Sequence, residues 1–379
     1  MNVNRVAVST AFFCQGFAFA ALITRIPAIQ DQFNFSEGGL AMILAGVPIL
    51  AGVGSVLAGL LAVRFHSAVV LRVCALIVAG GLVAVGAATT SGSFPGLLVA
   101  LALMGFGLGS VDATMNMQGI GVQAQVGRSV MASFYAWWSL ATILGALAAS
   151  VAAASTLSLL AFFAVVAVVL IPVGLIASTR FVRSHEADEA APDPLAASAS
   201  VPWRPLLVFG FAVVLAFIID SSVSNWSALD LTDVLGATES VAALAYAAYA
   251  LFMLIGRTFA DHLVGRRGAQ WLITVGGLLA AVGLLVVAVA PSAIVAIVGF
   301  AIIGLGISPV LPMAFVAASH HDPRHTGIAV ARVNVGNYIG FVIGAPLVGV
   351  IGEFSSLRVG FAVLVAAALG IAVMARSFD

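Results

Sequence analysis

Apolar stretches alternate along the chain with short polar punctuation, and twelve of them reach the roughly 20 residues that cross a bilayer. We place these spans near 6–30, 38–62, 69–89, 94–118, 129–151, 157–178, 205–229, 240–262, 269–290, 293–317, 328–351 and 357–376. In hydrocarbon every backbone N–H and C=O must be paired internally, so each span is predicted to be an α-helix. The first apolar run continues to about Ala28, longer than the core of a secretory leader, and is expected to be a retained span. The one long connection, 179–204, contains RSHEADEAAPDPLAASAS. It is charged at first, then rich in Ala, Ser and Pro, and reads as a flexible cytoplasmic linker. The expectation is an all-α membrane protein of twelve transmembrane helices. A six-helix bundle over 1–178 precedes the linker and a pseudo-symmetric one over 205–379 follows it.

Composition sharpens this picture. The chain is 62% hydrophobic and only 8% charged, about a third of the charge share of a soluble domain. All 15 basic residues are Arg. Without Lys there is no P-loop to hold nucleotide phosphates and no Schiff-base chemistry, so the chain carries no ATP motor of its own. A net charge of zero leaves no basic footprint for nucleic acid. Cys14 and Cys74 are too few for a disulfide framework and are expected to be small buried hydrophobes. HHDPRH at 320–325 lies in a short loop and is read as a loop. No metal and no cofactor is expected.

Charge placement sets the orientation. With the N-terminus inside, Arg5, Arg64, Arg72, Arg128, Arg180, Arg183, Arg204, Arg257, Arg266, Arg267, Arg324, Arg332 and Arg376 fall on inner ends and loops. Only Arg25 and Arg358 fall outside. That bias requires an even number of spans and both termini in the cytoplasm, as in a multi-pass protein of a bacterial inner membrane. The halves also echo each other. Gly59, Gly105, Gly107 and Gly145 correspond to Gly256, Gly304, Gly306 and Gly344 at offsets of 197–199 residues. A repeat at half the chain length is the pattern of a two-bundle transporter.

The segment GRTFADHLVGRRG, 256–268, names a superfamily. Gly256, Asp261, Gly265, Arg266 and Arg267 resemble, in that order, the Gly…Asp…Gly-Arg-Arg signature of the major facilitator superfamily. At the inner end of a helix, Asp261 can pair with Arg266 or Arg267 and accept from a neighbouring helix N-terminus. Such a clamp would hold the inner face shut. The first-half copy, GLLAVRFHS at 59–67, keeps Gly59 and Arg64 but has Val63 where the acid is expected, so gating should lean on the second half. In span 4, GLGSVDATMN (107–116) resembles the corresponding run of the fucose-type sugar:proton symporters. TRIPAIQD (24–31), FYAWWSLATILGA (134–146) and DSSVSNW (220–226) resemble an uncharacterised bacterial inner-membrane branch near them. The resemblance implies that Asp112 takes the position of the proton-carrying acid and that spans 1, 4, 7 and 10 line the cavity. Those symporters also have an acid in span 1, and this chain has none there.

Polar residues within the spans supply the candidate site. Asp112 lies roughly 27 Å along its helix at 1.5 Å per residue. A carboxylate there is costly and is a functional candidate by default, the alternative being a structural hydrogen bond. Asn116, one turn on, shares its face. Asp220 lies roughly 22 Å into span 7 and opens the run DSSVSNWS, which must face a cavity or another helix and is expected to unwind locally. Asp112 and Asp220 are thus the proton-coupling candidates. Asn225 and Trp226 offer an amide and a stacking surface to a polar solute, or contacts between helices. Arg25 either snorkels to the outer interface or meets an anion. Arg332 divides similarly between an interface position and a site. Asn334, Asn337 and Tyr338 share one face of span 11, and Gln15, Tyr135, Trp137 and Trp138 complete the substrate candidates. Pro309 and Pro312 are expected to bend span 10.

The function expected is secondary transport of a small polar, sugar-like solute by alternating access, coupled to protons as a symport. The expected partners are that solute, protons and the lipid bilayer, and the chain is expected to be a monomer. The alternative is drug or metabolite efflux by proton antiport. Family signatures of such antiporters are weak here: Leu101 or Leu103 stands where they carry Arg, and Gly145 is followed by Ala146 where they carry Gly-Pro. A third reading is a solute sensor that does not translocate. A membrane enzyme finds no nucleophile–base pairing.

Overall fold

The computed structural model describes residues 3–155, 157–182 and 193–378, with the side chains at 37, 38, 40–42 and 239 excepted. Fifteen α-helices run in chain order through the described residues: α1 (Val3–Ile23), α2 (Ile26–Phe33), α3 (Glu37–Phe65), α4 (Ser67–Ser91), α5 (Phe94–Val126), α6 (Met131–Ala154), α7 (Leu159–Ser178), α8 (Pro194–Ser200), α9 (Trp203–Leu229), α10 (Glu239–Arg267), α11 (Ala269–Ala288), α12 (Ala293–Ile307), α13 (Val310–Ser319), α14 (Ile328–Phe354) and α15 (Leu357–Met374). Among the described residues there is no strand. Among these residues twelve stretches are long and apolar enough to cross a membrane, with α1–α2 and α12–α13 each making one broken span. Large apolar side chains such as Val168 and Ile176 are more than 70% exposed. A soluble protein does not present such a surface, and lipid does not penalise it.

Local chemistry explains the helix ends. Ser36, Ser93, Ser158 and Ser356 cap α3, α5, α7 and α15, each accepting from the amide three residues on, which satisfies one of the first orphan N–H groups. The first span breaks at Thr24–Arg25, because Pro27 has no N–H to continue the ladder. It is therefore two helices rather than the single one expected over 6–30. Span 10 breaks at Ser308–Pro309, as its prolines lead one to expect.

Three expectations are corrected. The linker is not flexible throughout: 183–192 lie outside the described residues, but Pro194–Ser200 is helical, with Ala197 and Val201 buried. Span 8 does not end near 262; α10 carries on through Arg267 and stops at Gly268, whose φ of +83° suits glycine. Span 7 does not unwind at 220–226. There the hydroxyls of Ser221 and Ser222 donate to the carbonyls of Phe341 and Gly344 on α14 (2.9 Å each), so the polar run is satisfied with the helix intact. The irregular stretch comes later, as a wider π turn at Asp230–Val234.

By backbone contacts the chain forms two compact units. The first comprises Met1–Gly127, Trp137–Val201 and Asp322–Arg332; the second comprises Arg128–Ala136, Pro202–His321 and Val333–Asp379. Phe12 and Phe163 are fully buried in the first, and Phe209, Phe300 and Phe361 in the second.

Candidate functional site

In the first unit, glycine brings two helices together at the polar centre. A Cβ on Gly16 would sit 2.7 Å from the Trp138 carbonyl, so only glycine lets α1 close on α6 there. The neighbouring Gln15 is buried and lies between two partners. Trp138 Nε1 donates to Gln15 Oε1, and Gln15 Nε2 donates to Asp112 Oδ1 at 2.6 Å. An indole N–H can only donate, so it sets which end of the amide faces Asp112. Asn116, also buried, turns its amide back to the Asp112 carbonyl at 2.8 Å. Four candidates read from the sequence, on three helices, are thus joined by hydrogen bonds, with the half-buried Asp112 at their centre.

The second unit holds another cluster. Asp220 on α9 accepts from the Tyr249 hydroxyl of α10. Gly304 positions that tyrosine, since a Cβ there would collide with the Tyr249 carbonyl, and its absence lets α12 press on α10. Two turns along α10, Arg257 is only 6% exposed, and its charge acts on Asp220. The guanidinium lies over the Tyr135 ring at 5.3 Å, a cation–π contact that strengthens when water is excluded. Tyr135 in turn stacks on Phe315 at 6.4 Å. The sequence reading missed Tyr249 and took Arg257 for an inner-end charge. The available signal was spacing: Tyr249, Met253 and Arg257 recur every four residues and form one buried face.

The motif at the end of α10 forms the anion side of a clamp. Asp261 accepts from Ser129 Oγ (2.7 Å) and the Ala132 amide (3.1 Å) on Oδ1, and from the Ser133 amide (2.8 Å) on Oδ2. The carboxylate thus caps the N-terminus of α6, where the helix dipole favours negative charge. Arg267 lies over Trp271 at 5.5 Å instead. Gly256 meets Ser308, whereas nothing crowds Gly265. In the first unit the equivalent place is apolar: Val63 is buried, a Cβ on Gly59 would lie 2.7 Å from Ala331 Cβ, and Ser55 Oγ donates to the Ala331 carbonyl at 3.0 Å.

The remaining candidates fall elsewhere. Trp137 is 46% exposed and edge-on to Phe13. Asn225 is exposed and bonds the Ser221 carbonyl of its own helix. Trp226 Nε1 donates to the Ala345 carbonyl at 2.8 Å, fastening α9 to α14. On α14, Asn337 Nδ2 donates to Asn334 Oδ1 at 2.8 Å, and Asn334 reaches the Tyr338 hydroxyl at 3.5 Å. Arg332 anchors the linker helix α8, bonding the carbonyls of Ser198 and Val201 and the Ser198 hydroxyl. Arg25 does not snorkel: it is 9% exposed, stands 6.0 Å over Phe162, and its Nε and Nη1 have no protein partner. Among the described residues no three His, Cys, Asp or Glu side chains gather as a metal site would require.

Among the described residues, twelve apolar spans with buried polar clusters and a helix-capping Asp261 make up a multi-pass membrane protein. The comparisons with known proteins agree. Residues 209–378 match the sequence model of the Major Facilitator Superfamily. An uncharacterized MFS-type transporter of Yersinia pestis is 28% identical over 378 residues, covering 99% of this chain and 95% of its own length. Among solved structures, the transporter FucP in its outward conformation superposes with a TM-score of 0.83 at 15% identity, covering 99% of this chain and 98% of its own. The human organic anion transporter MFSD10 gives 0.78 at 13% identity, covering 100% and 99%.

Proposed function

We propose that this chain imports a small polar, sugar-like solute with a proton by alternating access. The observation that carries this reading is the Trp138–Gln15–Asp112 chain of hydrogen bonds within the first unit. A carboxyl inside a membrane protein is costly as an anion and gains by taking a proton, and the amide donated by Gln15 holds this one in place. FucP of E. coli, similar in fold, is a fucose:proton symporter, which supports the same coupling here. In the second unit Asp220, Tyr249 and Arg257 offer an acceptor, a hydroxyl and a buried cation to the solute or to the coupling step. Asp261 serves as the latch, releasing the first turn of α6 when the inner side opens. The protein works as a monomer in a bacterial inner membrane, with both termini in the cytoplasm.

The test uses proteoliposomes loaded with a pH-sensitive dye and challenged with sugars, polyols, nucleosides and organic anions. Symport predicts that one solute class acidifies the lumen when added outside. Asp112→Asn should abolish that acidification and retain solute binding by thermal shift. Alkalinisation on solute addition would identify an antiporter, and binding without any pH change or uptake would identify a sensor.

A further inference from the structure

Four of the buried polar atoms left without a protein partner occur together at the far end of α9 and in the helix start beside it. They are Ser227 Oγ, both carboxylate oxygens of Asp230, and Nε of Arg358. Ser227 and Asp230 are three residues apart and share a helix face. Asp230 is 0% exposed and opens the π turn, a departure from α geometry that often marks a functional position. Arg358, at the start of α15, is the charge that acts on it. Yet the guanidinium is turned aside: Nη2 donates to the Ala290 carbonyl at 2.7 Å, and neither oxygen of Asp230 receives a bond.

A buried carboxylate with no donor on either oxygen is too costly to persist as an anion. It must take up a cation or a proton, or close on Arg358. A metal cation is disfavoured beside the fixed positive charge of Arg358, and an anionic ligand is disfavoured by Asp230 itself. A proton neutralises the carboxyl without adding charge at the arginine. Among the described side chains, the other charged or titratable groups on the elements packed around the turn do not substitute for it. Asp233 is exposed and held by Thr232 Oγ1 at 2.8 Å, and Glu353 at the end of α14 is exposed. The side chain of Glu239 lies outside the described residues, Tyr246 is carried by α10, and Asp220 lies about 15 Å back along α9.

We propose that Asp230 is a proton-binding site distinct from Asp112 and Asp220, and that it forms a proton-controlled latch with Arg358. Protonated, Asp230 leaves Arg358 on the Ala290 carbonyl, as seen. Once its proton passes to water, the carboxylate draws the guanidinium across and ties the end of α9 to the start of α15. This needs no identified solute and stands apart from the symport reading.

The test is infrared difference spectroscopy of the full-length protein in lipid, titrated with acid and base with no solute present. Wild type should show a protonated-carboxyl band whose disappearance at higher pH is lost in Asp230→Asn and kept in Asp112→Asn and Asp220→Asn. Should Asp230→Asn not fold, Arg358→Gln decides: it should shift the pH at which the band disappears, because the charge that closes the latch is gone. Spectra of Asp230→Asn identical to wild type, or an Arg358→Gln titration that does not move, overturn the proposal.

Discussion

At the scale of single residues, the most informative feature is the order of donors and acceptors around Asp112. Trp138 Nε1 can only donate, so Gln15 must accept with Oε1 and present Nε2 to Asp112. Trp138 therefore acts on Asp112 through Gln15 and is a positioning residue. Trp138→Phe keeps the ring and removes the donor; Gln15 is then free to turn its carbonyl toward the carboxyl. One such bond to a charged group is worth about 1.5–3 kcal/mol, and about 1.4 kcal/mol is a tenfold change. Solute-driven proton uptake should fall roughly tenfold in Trp138→Phe, by the same factor in Gln15→Leu, and no further in the double variant. Additive losses in that cycle, measured as initial rates across a pH series, would show that the two side chains act independently. The members of this chain are legible one by one in the sequence, because a polar side chain inside an apolar span is conspicuous. Their order is not, since it depends on Gly16 bringing two helices together.

At the scale of elements, close helix packing rests on particular glycines. A Cβ on Gly109 would run into the backbone carbonyl of Ala51, whereas a Cβ on Gly80 would meet nothing within 4 Å. Both are helical, so Ala improves propensity at each by about 1 kcal/mol. At Gly109 that gain is outweighed by overpacking, which costs about 1–3 kcal/mol or more against an unyielding backbone. Thermal denaturation in detergent should show Gly109→Ala melting well below wild type and Gly80→Ala melting at or above it. A Gly109→Ala protein as stable as wild type would mean that α3 and α5 separate without cost. The same elements show where sequence reading stops. Hydropathy finds a span because lipid demands about 20 apolar residues, but it does not say where a helix ends once past them. The run expected over 94–118 continues to Val126 because Gln118, though polar, is satisfied by the Ser67 hydroxyl and the backbone of Val182. It stops at Gly127, whose φ is +67°. The linker helix α8 escaped notice for a similar reason: the Arg332 bonds that hold it come from 131 and 134 positions along the chain.

For the whole molecule, the proposed orientation in the membrane rests on the placement of arginine along the chain and not on any one helix. Arginines in short loops and at span ends resist translocation and collect on the cytoplasmic side. The sequence places thirteen arginines on inner ends and two outside, and although Arg257 proves to be buried, the bias of the rest is what the proposed topology rests on; a single span added or removed would exchange the sides of every residue after it. The chain lends itself to a direct check, because Cys14 and Cys74 are its only cysteines and both can be changed to Ala. In that background Ser355→Cys, in the exposed turn between α14 and α15, should react in intact cells with a maleimide that cannot cross membranes. Thr179→Cys, exposed just after α7, should react only once the membrane is opened. The reverse pattern would invert the topology and turn the proposed importer's uptake face toward the cytoplasm. Equal labelling of both positions in intact cells would mean that the even span count, and with it the assignment of both termini to the cytoplasm, is wrong.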